Sequence, residues 1–78
     1  MRPTALKPGD KVITDYGAHV LTFVRRDKSS FRQGINVFQC DAYRGLNGPD
    51  DQGFSYAPDS YVVRRMHRAP EASSPTQR

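Results

Sequence analysis

The sequence predicts a small all-β fold, a five-stranded barrel or roll, and three observations carry that expectation. The longest apolar run, Val20 to Val24, is β-branched or aromatic almost throughout and shows no helical stripe. Similar short runs recur at 11–15, 35–42, 54–57 and 61–66, separated by segments rich in Gly, Pro, Asp and Ser. A chain of 78 residues also has room for only one core. Two domains sharing that length would each fall below the size at which a chain buries a stabilising interior without disulfides or metal.

Residues 1–6, with Arg2 and Pro3, read as a lead-in. The folded unit spans 7–66 and opens on Lys7-Pro-Gly-Asp10, with Pro and Gly placed as a type II turn favours. Lys11 to Asp15 forms a first short strand. Asp15-Tyr-Gly-Ala18 is a turn, since Gly17 takes positive φ without steric cost, and it makes a tight hairpin with the run 18–27. Along that run Val20, Thr22 and Val24 share one face, and Leu21 and Phe23 share the other. This strand is expected to be the bent central one.

Lys28 to Gly34 is a polar loop with Phe31 as its single apolar residue. Residues 35–42 alternate, and Asn36, Phe38, Cys40 and Ala42 are the expected core face. The stretch 43–53 holds three glycines, a proline and adjacent aspartates, which excludes regular structure for most of its length. Phe54 to Ala57 is a further strand. Pro58-Asp-Ser60 suits a single 3-10 turn, and Tyr61 to Met66 is expected as the last strand. From 67 to 78 the composition shifts to Ala, Pro, Glu, Ser, Thr, Gln and Arg, a basic tail expected to be disordered.

Twelve Lys and Arg against eight Asp and Glu give a net charge of +4. The charges are segregated, with basic residues at 24–32 and 64–78 and acidic ones at 41–60. Such a balance favours acidic partners, of which nucleic acid is one. Cys40 is the single cysteine, which excludes an intramolecular disulfide and suits a reducing, cytoplasmic setting. No apolar run approaches the roughly 20 residues of a membrane span, so no membrane association is expected.

The order of elements, ending in a strand, a one-turn break and a final strand, resembles SH3-like barrels. Pro58-Asp-Ser-Tyr-Val62 is similar to the Pro-Ser-Asn-Tyr-Val segment of peptide-binding SH3 domains. The resemblance implies that Pro58 and Tyr61 line an aromatic groove. Gly9-Asp-Lys-Val12, Gly17, Val20 to Val24, Val37 to Cys40, Phe54 and Val62 also resemble, in spacing, small bacterial domains of unknown function. The same opening looks like the KOW and Tudor-type barrels of transcription and translation factors.

Two binding surfaces follow. Tyrosines present a flat apolar face with a polar tip, so Tyr16, Tyr43, Tyr56 and Tyr61, with Pro58, are candidates for contact with a protein partner. The plainer alternative makes Phe54 core and leaves the tyrosines as its rim. Arg25, Arg26, Lys28, Arg32, Arg64 and Arg65 could instead contact phosphates, with Phe31 or Tyr16 stacking on a base; the alternative there is a solvated hairpin end. Catalysis by Cys40 with His19 or His67 is disfavoured, since a thiol on an apolar face is inert. One Cys and two distant His do not make a metal site, and no cofactor is expected. Asn47, Asp50 and Asp51 read as a loop tip rather than a cation site. The leading expectation is a non-enzymatic protein-interaction module acting through its tyrosines, its acidic loop or a sheet edge. A nucleic-acid-binding accessory protein is the first alternative, and an enzyme assembled only by oligomerisation the second.

Overall fold

In the computed structural model, residues 2–28 and 34–69 are described. They form one five-stranded antiparallel sheet, one α-helix and two 3-10 turns, Pro3–Ala5 and Asp41–Tyr43. The strands are β1 (Lys11–Thr14), β2 (Val20–Lys28), β3 (Gly34–Gln39), β4 (Phe54–Pro58) and β5 (Met66–Arg68), with helix α1 (Asp59–Arg65) between the last two. Their order in the sheet is β4-β3-β2-β1-β5, so β2 is central, as the two-faced apolar run predicts.

The first hairpin turns at Gly17, which adopts φ 66°. On β2, Leu21 and Phe23 face inward and are buried, while Val20 is exposed. A register shift between Phe23 and Arg25 then changes the alternation. Unbroken, the period of two would put Arg25 inward and Arg26 outward; the bulge reverses them. Arg26 thereby lies opposite Asn36, and Arg25 opposite Val37.

The core packs Leu6, Val12, Leu21, Phe23, Phe38, Cys40, Ala57, Val62 and Met66 into one cluster. At its centre the rings of Phe23 and Phe38 meet edge to face at 5.5 Å. The inward set predicted on β3 holds for Asn36, Phe38 and Cys40, but Ala42 is exposed because the chain has already left the strand for the turn at 41–43. Val37, on the other face, is fully enclosed as well.

Two expectations are corrected, and the barrel or roll is shown only in its coarser form, a mostly β fold of one five-stranded antiparallel sheet whose edges, β4 and β5, do not pair. The single 3-10 turn and the strand at Tyr61–Met66 are instead the seven-residue helix α1, followed by β5. Asp59 in the first turn and Arg64 and Arg65 in the last complement the helix dipole. Val62 and Met66, four residues apart, both point into the core, so that helical spacing outweighs the β-propensity of Val62-Val63. The folded unit also extends beyond 66, since His67 pairs with Ile13 and Arg68 with Val12. The remainder of the tail, from Pro70, lies outside the described residues.

Candidate functional site

Because β4 does not meet β5, the sheet leaves an open seam, and a cleft of about 250 Å³ sits there. Its walls are Tyr16 from the first hairpin, Tyr43 from the 3-10 turn, Tyr56 and Pro58 from β4, and Tyr61 from α1. Leu21, Ala57 and Met66, all members of the core, also line it, with Thr14 and Ser55. The cleft thus lies directly over the core, whose side chains stay buried beneath it. None of its lining residues is charged.

The walls are held from behind. The Tyr16 and Tyr61 hydroxyls share a hydrogen bond of 2.9 Å. That bond, followed by partial burial, raises the Tyr61 phenol above its usual value. Tyr16 itself is 71% exposed. Asp15, next to it on the turn, pairs with His67 on β5 and lies 3.4 Å from Arg65 on α1. The hydrogen bond from His67, more than Arg65, holds the Asp15 carboxyl below its ordinary range. Tyr43 stands edge-on to His19 at 5.5 Å.

All five residues singled out for protein contact therefore border one cleft. Phe54, expected in the core by the plainer alternative, is 41% exposed instead. Sequence reasoning missed Leu21, Ala57 and Met66 as part of the cleft, since nothing in a period of two marks which core residues lie under an open seam. It also missed the Asp15 and His67 pair, which depends on β5 reaching back to β1.

The basic residues do not form a free patch. Arg25 is paired with Asp27 at 3.0 Å, and Arg65 with Asp15. Arg26 makes a two-pronged contact with Asp59, from Nε to one oxygen at 3.2 Å and from Nη2 to the other at 2.5 Å. Asp59 further accepts the Gly34 N–H at 3.1 Å and the amide of the fully buried Asn36 at 2.8 Å. These bonds, that from Arg26 foremost, lower its pKa to about 2. Asp59 thus ties the start of α1 to β2 and β3. Lys28 and Arg64 have no ion pair among the described residues. Phe31 and Arg32 lie outside the described residues.

In the acidic loop, Asp51 accepts the backbone N–H groups of Asn47 and Gly53, at 3.1 and 2.9 Å. Those bonds, Gly53 first, hold its carboxyl low. Its oxygens are thus occupied in folding the loop. Among the described residues no group of three metal-ligating side chains occurs. Cys40 is buried and free. A second hollow, of about 320 Å³, lies beside Lys11, Val20, Gln39 and Cys40 and contains none of the predicted site residues. No helix among the described residues is long and apolar enough to cross a membrane. No protein family, curated protein or solved structure matches this chain.

Proposed function

We propose that this chain is a small, non-enzymatic protein-interaction module, an SH3-like fold that holds a peptide segment of a partner in its tyrosine-walled cleft. The observation that carries the reading is the convergence of Tyr16, Tyr43, Tyr56, Pro58 and Tyr61, from separate elements, on one uncharged hollow floored by the buried core residues Leu21, Ala57 and Met66. Rigid aromatic walls contribute contact area at low entropic cost, and their hydroxyls orient a bound chain. The bulged central strand and the β4-β3-β2-β1-β5 order suit an SH3-like architecture. The buried lone thiol suits a cytoplasmic setting. A site this small and uncharged fits micromolar to millimolar binding, about −4 to −8 kcal/mol.

The nucleic-acid alternative is the weaker one. Arg25, Arg26 and Arg65 already face carboxylates, so a phosphate would have to displace an internal partner at each. The test is selection from a displayed random-peptide library, repeated with folded Tyr56→Ala and Tyr61→Ala proteins. Enriched peptides should lose at least about tenfold in affinity with either variant, roughly one good contact. No enrichment, or enrichment indifferent to both variants, overturns the proposal. A labelled single-stranded oligonucleotide bound tightly at low salt and released at high salt would favour the alternative.

A further inference from the structure

Resting on the reading of the cleft as a peptide site, we infer that its occupant binds as an added β-strand, pairing with the open edge of β4 at Tyr56. The partner chemistry this fits is an extended, uncharged segment with apolar side chains at alternate positions.

The ladder decides which backbone groups are on offer. Cys40 donates its N–H to the Gly53 carbonyl at 2.9 Å, one step beyond the Gln39 and Phe54 pair. In an antiparallel ladder such hydrogen-bonded pairs recur at every second residue. Phe38 with Ser55 and Asn36 with Ala57 are therefore the next ones. The N–H and C=O groups of Phe54 and Tyr56 must point the other way, off the sheet. Pro58 closes the series: it has no N–H, and it caps α1, whose first helical bond its carbonyl accepts.

The cleft runs along this edge. Ser55, Tyr56, Ala57 and Pro58 line it consecutively, whereas a hollow over one face of a strand would meet alternate residues. The opposite edge offers less. On β5 the Met66 N–H is already donated to Val62, and His67 and Arg68 add charges of the kind that discourage pairing.

The occupant is a lone segment rather than a second folded copy. Tyr16 and Tyr61, joined through their hydroxyls, belong to other elements on the same rim as β4, so an approaching chain must pass beside their rings, a smaller steric demand for a lone segment than for a folded copy. The uncharged lining offers no partner to a charged stripe on the ligand. A strand paired at Tyr56 would send alternate side chains toward Leu21 and Met66.

The experiment uses the full chain and three synthetic decapeptides: alternating valine and serine, the same peptide N-methylated at every residue so that neither edge can donate, and decaproline. Amide hydrogen exchange is followed residue by residue at peptide concentrations up to about 1 mM, the weak end of specific affinity. At about 1 mM the first peptide should slow exchange at Tyr56 by a factor of one plus the ratio of peptide concentration to Kd, at least about twofold for a Kd of about 1 mM or tighter, and the N-methylated one should not. A Tyr56→Pro variant, which removes the outward N–H at an edge position that tolerates proline, should bind the first peptide at least about tenfold more weakly than Tyr56→Ala, which loses the ring but keeps that N–H. Binding in the cleft with unchanged exchange at Tyr56, or with equal affinity for the N-methylated or decaproline peptide, overturns strand addition but leaves the cleft as a peptide site. No change at any cleft residue with all three peptides overturns both.

Discussion

Asp59→Asn tests the tie between helix and sheet. The carboxylate accepts two bonds from Arg26, one from the Gly34 amide and one from Asn36. Its pKa of about 2, against 3.8 ordinarily, corresponds at 1.36 kcal/mol per unit to about 2 kcal/mol. The side chain is 23% exposed, so solvent screening makes that figure an upper value. Asparagine would turn a donor of its own toward Gly34 or Asn36, adding about 1 kcal/mol for a buried group left unpaired. Asp59→Asn should therefore destabilise the fold by about 2–3 kcal/mol at pH 7. Because the folded-state pKa is depressed, the carboxylate's contribution is complete above the unfolded value of 3.8 and is lost as pH falls toward about 2. The gap between wild type and variant should accordingly narrow below pH 4. Urea titrations followed by far-ultraviolet circular dichroism at several pH values between 7 and 2 measure it. A gap below about 0.5 kcal/mol at pH 7, the size of an ordinary surface substitution, or one that stays constant down to pH 2, would refute the reasoning.

Further outcomes follow from the same geometry. Gly53 has φ 81°, and a Cβ there would run into the Cys40 carbonyl; Gly53→Ala should cost about 2 kcal/mol or more in urea unfolding. Val62 is fully buried, and Val62→Ala removes two carbons from the core, about 2 kcal/mol by the same assay. Tyr16→Phe keeps the ring but removes the hydroxyl bonded to Tyr61, so ultraviolet titration should show the Tyr61 phenol ionising at lower pH than in wild type.

How far the sequence was legible depended on the kind of signal. Period-two alternation placed β1 to β4, grouped Leu21 with Phe23 on one face of β2 and set Phe38 inward on β3, because burial on one face imposes that pattern directly. It failed at Tyr61–Met66, where two adjacent valines look like a strand. There the deciding information was tertiary, Val62 and Met66 reaching one core from helical spacing. The bulge after Phe23 was equally hidden: its consequence, Arg26 turned inward to Asp59, needs a partner from 33 residues away. The tyrosines were visible as a type of residue. That they gather at one seam follows only from the sheet staying open between β4 and β5.

Photo-crosslinking locates a peptide held at the seam between β4 and β5. A peptide enriched from the random library would carry a benzophenone at its centre, and the adducts would be mapped by mass spectrometry. Adducts are expected at Met66, Tyr56 and Tyr61, which border the cleft. Adducts confined to Arg25–Lys28, to Arg64 or to the hollow beside Lys11 and Cys40 would contradict a peptide site there.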